Sequence, residues 1–325
     1  MQALQVQALN GPDALELVDV PEPRADSGQV LIDVYAAGVS FVDLLLSRGE
    51  YQVRPQLPFI PGIEVAGVAR QAPQDSGLVE GERVFAFAPL GGGFAETAIT
   101  TSQLTYRMPA ALFFEEAAAL TVNYQTALLA LCRRGRLKPG ETVLVHGAAG
   151  GVGTAAIQVA KAHGARVLAL TSTTVKAAVA KAAGADEVLV ANEDWVSEVR
   201  ESSGGGVDLI FDPVGGQRSS HSLRCLAPEG RLLVVGFADG KIPELALNRV
   251  LLRHADVIGV NWGGFFAVDP AYHRACAVEL ARLADDRLIR PLIGQTYALA
   301  DGARALRDLA TRRTHGKVVI SIDAG

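Results

Sequence analysis

Cysteine is scarce in this sequence, and the cysteines that occur are far apart. Cys132, Cys225 and Cys276 share no short spacing among the 325 residues. Such scattering is typical neither of a disulfide framework nor of a zinc site, whose ligands recur at short intervals. The sequence therefore predicts a reduced, cytoplasmic protein without a metal.

Neither strong basic charge nor a long apolar segment is present. The formal net charge is −5, with acidic and basic residues interspersed, so we expect no nucleic-acid partner. No apolar run reaches the roughly 18 residues of a membrane-spanning helix. The segment 1–17 lacks the basic stretch followed by an apolar core that marks a signal peptide. We therefore expect no membrane partner, and the length allows two domains.

A glycine-rich turn lies in the middle of the chain. An apolar strand from Thr142 to Val145 is followed by Gly147, Gly150 and Gly153, and then by a helical segment over 154–163. Strand, glycine-rich turn and helix form the geometry that binds the pyrophosphate of a dinucleotide, because the helix begins with free N–H groups that face the anion. The motif in this context predicts a nucleotide-binding Rossmann domain.

The end of the next strand indicates which dinucleotide binds. In NAD sites a carboxylate near this point holds the ribose 2′-hydroxyl. Here the strand over 165–170 ends in Thr171 and Ser172, with Lys176 shortly after and no carboxylate among them. Hydroxyl and ammonium groups donate to a 2′-phosphate, which favours NADPH. The alternative is a plain turn in which Thr or Ser caps the following helix.

The distribution of predicted strands and helices divides the chain. Short strands separated by Gly and Pro occupy the first 120 residues, and strands alternate with helices from Asn123 to Trp262. Alternation of this kind is typical of a doubly wound parallel sheet. The predicted fold is α/β, with a doubly wound parallel Rossmann sheet inserted into a mostly β domain and a cleft between them. The predicted domains are residues 1–122, 123–264 and 265–325, of which the last returns to the first domain.

Several motifs, in a characteristic order, resemble those of one enzyme family. They are AAGVSFVDLLLSRGEYQVRPQLPFIPGIEVAG (36–67), GERVFAF (81–87), GGFAE (92–96), EEAAAL (115–120), VHGAAGGVG (145–153), GVDLIFDPVGG (206–216), GRLLVVGFADG (230–240) and GKVV (316–319). Together they resemble the zinc-independent medium-chain dehydrogenase/reductases, in the quinone oxidoreductase (zeta-crystallin-like) branch. The resemblance implies a GroES-like catalytic domain, a Rossmann domain, NADPH as cofactor, and a homodimer or homotetramer.

The turn and the resemblance together predict a set of cofactor-binding residues. They are Gly147, Ala149, Gly150, Gly151, Val152, Gly153, Thr171, Ser172, Lys176, Val214, Gly236, Phe237, Trp262 and Lys317. For Lys317, a solvated lysine at a strand end is the alternative.

The sequence departs from the family pattern at two places. Ser40 stands where the family commonly has Asn, and Val190-Ala191 stand where it often has Asp-Tyr. The second departure leaves Ser172 and Lys176 as the main predicted contacts to the 2′-phosphate.

Zinc-dependent relatives carry ligands at two positions that differ here. Ile63 stands in place of their His, and Ser40 in place of their Cys. Since zinc takes sulfur and nitrogen donors in a tetrahedral site, we expect chemistry without metal. Hydride transfer to a quinone or an α,β-unsaturated carbonyl fits that expectation, with the cofactor supplying the reactivity.

Three residues are predicted to be catalytic, namely Tyr51, Ser40 and Thr126. Tyr51 has a hydroxyl that could polarise a substrate carbonyl or donate a proton, and its alternative is an amphipathic Tyr at a domain edge. The alternative for Thr126 is a structural Thr on the helix that links the domains.

A substrate pocket is predicted from Phe41, Asp43 and Phe265. The alternatives are core packing for the aromatic residues and a helix-stabilising acid for Asp43. The substrate is a small molecule, and a second possibility is an enoyl thioester such as acryloyl-CoA. A non-enzymatic NADPH-binding protein is the third.

Overall fold

The computed structural model describes residues 1–322. Its strands in chain order are β1 (Gln2–Val6), β2 (Leu15–Asp19), β3 (Gln29–Val39), β4 (Glu64–Gln71), β5 (Arg83–Phe87), β6 (Thr97–Thr101), β7 (Thr105–Arg107), β8 (Thr142–His146), β9 (Arg166–Thr171), β10 (Glu187–Val190), β11 (Val207–Asp212), β12 (Leu226–Val234), β13 (Asp256–Gly259), β14 (Ile293–Ala298) and β15 (Lys317–Ser321).

Its α-helices in chain order are α1 (Phe41–Arg48), α2 (Phe114–Ala117), α3 (Gln125–Leu128), α4 (Gly151–Ala162), α5 (Thr174–Ala182), α6 (Trp195–Ser202), α7 (Gly216–Ser222), α8 (Leu247–Arg253), α9 (Tyr272–Asp285) and α10 (Gly302–Ala310). Short π-helical turns flank α3 on both sides.

Contacts divide the chain into two compact units. The first unit comprises Met1–Val122 and the chain from Ala271 onward, and the second unit comprises Asn123–Pro270. The later boundary falls at Pro270 rather than at residue 264, because the short 3₁₀ helix Gly263–Ala267 that follows β13 belongs to the second unit.

The second unit contains a six-stranded sheet. Its strand order is β10-β9-β8-β11-β12-β13, and every pairing is parallel. This order, with the chain reversing direction across the sheet at β8, is that of a doubly wound Rossmann sheet. The predicted fold class is confirmed.

The central strands contain continuous apolar runs because helices cover both faces of the sheet. All the residues of the segments 143–145 in β8, 167–170 in β9 and 209–211 in β11 are inaccessible to solvent. Continuous burial of this kind distinguishes them from strands with one solvated face, which would alternate apolar and polar residues.

The first unit is mostly β structure. Its larger sheet has the order β14-β15-β3-β4-β5-β7, with β6 also paired to β3, and β1 and β2 form a separate antiparallel pair. The C-terminal strand β15 pairs antiparallel with β3, with Val318 opposite Val39. Both ends of the chain therefore build this unit, and the Rossmann unit is inserted between them.

The sequence did not predict the short strand β7. Just before β6, Ala95 forms an isolated bridge with Ala3 of β1. Within the described residues, no helix combines the length and the apolar character that crossing a membrane would demand.

Candidate cofactor and catalytic sites

The glycine-rich turn joins β8 to α4 in the second unit. Gly147 has φ +58°, a left-handed conformation that glycine adopts without strain. The Gly150 N–H donates to the Gly147 carbonyl at 2.9 Å. Gly150 is also the N-terminal cap of α4, with no side chain capping the helix and no acid in its first turn. The start of this helix is therefore suited to an external anion.

Two glycines in the turn have different steric surroundings. A Cβ atom on Gly153 would lie 2.3 Å from the Gly147 carbonyl oxygen, whereas one on Gly150 would have its nearest neighbour at 3.4 Å. Gly153 therefore allows α4 to pack closely against the end of β8, and Gly150 leaves space that a ligand can enter. The predicted residues between and beside them in the same turn are Ala149, Gly151 and Val152.

The end of β9 places the predicted phosphate contacts in unequal positions. Thr171 is buried, and its hydroxyl donates to the carbonyls of Thr173 and Leu189 at 3.3 Å. Ser172 is exposed and Lys176 is half-buried. The Thr171 hydroxyl is therefore engaged by backbone, and Ser172 and Lys176 are the side chains that could donate to a phosphate.

A buried carboxylate that the sequence interpretation did not single out organises the end of β11. One oxygen of Asp212 accepts the N–H groups of Val214 and Gly215 at 2.9 and 3.1 Å, and the other accepts the Ser219 hydroxyl. These bonds determine the path of the loop that carries Val214. In the sequence, an Asp-Pro pair at the end of an apolar strand was the feature that could have pointed to this carboxylate.

The loop after β12 approaches the same place. The Gly236 N–H donates to the Asp212 carbonyl at 3.4 Å. Phe237 is 40% exposed, and its ring lies 3.0 Å from where a Cβ of Gly215 would be. Val214, Gly236 and Phe237 are thus brought together at the carboxyl end of the sheet, where doubly wound folds bind ligands.

His146, at the end of β8, has a structural environment. Its Nε2 lies 2.7 Å from the Ser222 hydroxyl, and its ring packs edge-on against Trp195 at 5.5 Å. Burial lowers the pKa of His146 to about 4, with Arg218 lowering it further and Asp212 opposing the shift. The imidazole is neutral near pH 7.

In the first unit, Ser40 and Asp43 form a reciprocal cap at the start of α1. The Ser40 N–H and hydroxyl donate to one oxygen of Asp43 at 2.8 and 2.7 Å, and the Asp43 N–H donates back to the Ser40 hydroxyl at 3.3 Å. The other oxygen of Asp43 accepts the Gly62 N–H at 3.0 Å. Asp43 is fully buried and Ser40 is 6% exposed, so in this structure Asp43 does not line a pocket.

A second pair of charged groups is buried in the same unit. The Lys317 ammonium donates to Glu64, and the other oxygen of Glu64 accepts the Val122 N–H at 2.8 Å. Lys317 is 3% exposed, which contradicts the alternative of a solvated lysine. Burial raises the pKa of Asp43 to about 6, while its hydrogen bonds and the charge of Lys317 limit the rise. Glu64 was missed by the sequence interpretation, although it directly follows Ile63 in the quoted motif.

Tyr51 follows α1 and lies at the surface of the first unit. It is half-buried, and this burial raises the pKa of its phenol above the ordinary value. The same unit also has exposed apolar side chains at Phe41, Val53 and Leu57. Ser40 and Tyr51 lie at opposite ends of an eight-residue helix, which spans roughly 12 Å.

The remaining predicted residues belong to the second unit. Thr126 lies in α3 and is 9% exposed. Trp262 is buried and packs edge-on against Phe266, with 6.0 Å between ring centres. Phe265 lines a cavity of about 310 Å³ together with Arg134 and other residues near β13. Within residues 1–322, no group of three His, Cys, Asp or Glu side chains is arranged to hold a metal ion.

The chain resembles known proteins along almost its whole length. The alcohol dehydrogenase GroES-like domain family matches residues 26–110, and the zinc-binding dehydrogenase family matches residues 151–280. A quinone oxidoreductase of Rattus norvegicus is 35% identical over 313 residues, which cover 95% of this chain and 94% of that protein. The chain belongs to the quinone oxidoreductase family.

Solved structures agree with this membership. A probable oxidoreductase from Mycobacterium abscessus has a TM-score of 0.91 at 43% identity and covers 99% of both chains. The quinone oxidoreductase of Thermus thermophilus, also solved in complex with NADPH, has a TM-score of 0.82 at 39% identity. It covers 99% of this chain, and all of that chain is matched. The predicted family, GroES-like domain and Rossmann domain are confirmed.

The two glycines of the turn make a matched pair of variants. Gly153→Ala forces a Cβ to 2.3 Å from a carbonyl oxygen, and we expect it to lower the free energy of unfolding by roughly 1–3 kcal/mol. Gly150→Ala has room in the free protein, so its melting temperature should stay near that of the unmodified protein while its affinity for a dinucleotide falls. Calorimetry and fluorescence titration measure the two effects. Equal destabilisation by both variants would contradict the assignment.

Proposed function

We propose that this family member reduces quinones or α,β-unsaturated carbonyls with NADPH. The observation that carries the proposal is the uncapped, acid-free helix start behind Gly150, with Ser172 and Lys176 at the end of the neighbouring strand. The relative from Thermus thermophilus, which binds NADPH, supports the choice of cofactor. NADPH oxidation by the purified protein, followed with a panel of quinones and enones, tests the proposal.

The residues of the second unit fit the cofactor. The turn from Gly147 to Gly153 would hold the pyrophosphate, because its first helical N–H groups point to that place. Ser172 and Lys176 would hold the 2′-phosphate, and Val214 and Phe237 would line the bound dinucleotide. The nicotinamide supplies a hydride when NADPH is bound.

Tyr51 is proposed to orient the acceptor. Its pKa lies above the ordinary value because of burial, so the phenol keeps its proton and can donate a hydrogen bond to a carbonyl oxygen. The exposed apolar side chains of Phe41, Val53 and Leu57 in the same unit suit a flat, largely apolar acceptor. Thr126 is proposed to contact the nicotinamide side of the cofactor.

Lys176→Ala tests the contact to the 2′-phosphate. Loss of one charge-assisted hydrogen bond costs roughly 1.5–3 kcal/mol, so the KM for NADPH should rise about tenfold or more, while the KM for NADH should hardly change. Lys181→Ala is the control, because it removes the same charge at the far end of α5. Equal binding of NADPH and NADH by the unmodified protein would refute the phosphate site.

Tyr51→Phe tests the orienting hydrogen bond. Removing one hydrogen bond of about 1–1.4 kcal/mol should lower kcat for an enone roughly five- to tenfold. A quinone should suffer less, because water can protonate its reduced form. The KM for NADPH should remain within twofold. Steady-state kinetics measure these two rates and the KM for NADPH. Full rates with both acceptors would show that Tyr51 makes no orienting hydrogen bond.

The reaction is proposed to need no metal, because Ser40 and Ile63 occupy the positions where zinc-dependent relatives carry ligands. The Ser40 hydroxyl is already bonded to Asp43, and Ile63 offers no donor atom. We expect activity to survive dialysis against a chelator and elemental analysis to find no stoichiometric metal. One tightly held zinc ion per chain would be decisive against this proposal.

A homodimer joined through β13 is proposed. This strand ends the Rossmann sheet, and its Val257 is 41% exposed. The terminal strand of a sheet is a place where a second copy can pair. We expect a dimeric mass in light scattering and a shift toward monomer in Val257→Lys, with Val175→Lys on exposed helix α5 as control. A monomer at micromolar concentration for the unmodified protein would exclude the pairing.

A further inference from the structure

The buried carboxylate of Asp43 can act on a substrate only through Ser40. Both oxygens of Asp43 accept hydrogen bonds within the first unit, from Ser40 and Gly62, and the side chain has no exposed surface. Ser40 retains a little exposure, at 6%. A hydroxyl 2.7 Å from a carboxylate is close enough to exchange a proton with it. The Ser40–Asp43 pair therefore connects a carboxylate that is buried from water to a hydroxyl that retains some exposure.

The charged groups around Asp43 leave it without a cation of its own. Lys317, on β15, is the cation whose charge reaches Asp43, but its ammonium donates to Glu64 of β4. Two carboxylates therefore share one ammonium. Burial outweighs the attraction of Lys317 and disfavours the charged form of Asp43, because a buried charge is costly unless it is paired.

The elements that pack on the outer side of α1 add no further partner in the described part of the chain. The turn over 12–14 and helix α10 carry charged groups that pair with one another. Arg307 bonds to Asp13, and Asp308 is paired with Arg304 and Arg313. The surroundings of Asp43 are thus dominated by burial, by Ser40 and Gly62, and by the shared Lys317.

We propose that Asp43 is the proton source for the reduction of an α,β-unsaturated carbonyl, delivering its proton through the Ser40 hydroxyl. The proposal rests on the proposed function, since it needs an acceptor that becomes basic on reduction. Ser40 is the catalytic residue that touches the substrate, and Asp43 is a positioning residue that acts through it.

The atoms and electrons balance in this scheme. The alkene gains a hydride at its β-carbon from NADPH, which becomes NADP⁺, and the electron pair of the C=C bond forms an enolate. The Ser40 O–H bond then breaks as its proton bonds to the α-carbon, while the Asp43 O–H bond breaks as its proton replaces the one that Ser40 gave. Asp43 is left as a carboxylate and, after the product has left, regains a proton from water through the Ser40 hydroxyl.

Two observations favour this route over Tyr51. Burial raises the pKa of Asp43 to about 6 and raises that of Tyr51 above its already high ordinary value. An acid whose pKa lies near the working pH transfers a proton more effectively than one that is several units weaker. Tyr51 is therefore left to orient the carbonyl.

The pH profile of enone reduction tests the proposal. Asp43 must be protonated to deliver, so kcat of the unmodified protein should fall as pH rises through about 6. In Asp43→Asn this pH-dependent fall in kcat should disappear. The kcat for the enone at pH 6 should be roughly 10²-fold lower than that of the unmodified protein, with a smaller loss for a quinone. Ser47→Ala is the control, since its buried hydroxyl on the same helix donates only to the Leu44 carbonyl.

Variants at Ser40 guard against a folding defect. Ser40→Gly removes the hydroxyl but keeps a residue favoured at helix starts, at a cost of only a few tenths of a kcal/mol, and Ser40→Thr keeps the hydroxyl. We expect Ser40→Gly to lose the enone reaction as Asp43→Asn does and Ser40→Thr to retain the pH step. Persistence of the step in Asp43→Asn, or full enone activity in Ser40→Gly, would overturn the relay. Failure to oxidise NADPH with any acceptor would instead refute the proposed function.

Discussion

The first unit depends on one buried ion pair. Glu64 opens β4 and Lys317 opens β15, and 253 residues of sequence separate them. Glu64 also accepts the N–H of Val122, where the chain leaves the first unit. Removing either partner of such a pair strands a buried charge and typically costs about 3–5 kcal/mol. The pair therefore links the start of one strand, the returning C-terminal strand and the exit of the chain.

Lys317 also acts on Asp43. Burial is the largest cause of the raised pKa of Asp43, about 6, and the charge of Lys317 lowers that pKa. The ammonium that pairs with Glu64 therefore also limits the rise in the pKa of the proposed proton source.

The Rossmann sheet was predictable from sequence because its signals are local. Continuous apolar runs predict β8, β9 and β11, and glycines at three-residue spacing predict the turn before α4. The first unit was harder, since its strands are short and pair with distant partners. Strand β7 has three residues and no periodicity to recognise.

The site residues divide along the same line. Gly150 and Lys176 could be named from their spacing after a strand. The roles of Thr171 and Lys317 could not be judged from sequence, because each depends on a partner far along the chain. The Thr171 hydroxyl donates to the carbonyl of Leu189, and the Lys317 ammonium donates to Glu64. Identifying a residue type at a position is a local inference, whereas knowing whether its polar atoms remain available requires the fold.

Two fully buried titratable groups illustrate why availability decides function. Burial disfavours the charged form of both His146 and Asp43, yet it moves their pKa values in opposite directions, to about 4 and about 6. The shift moves the pKa of His146 further below pH 7, so its imidazole stays uncharged and serves as a hydrogen-bond partner of Ser222. The shift moves the pKa of Asp43 closer to pH 7, where a carboxyl group gains and loses a proton readily. The same desolvation that keeps a histidine uncharged in the second unit therefore raises the pKa of an aspartate in the first, and Ser40 is the group through which we propose that its proton leaves the core.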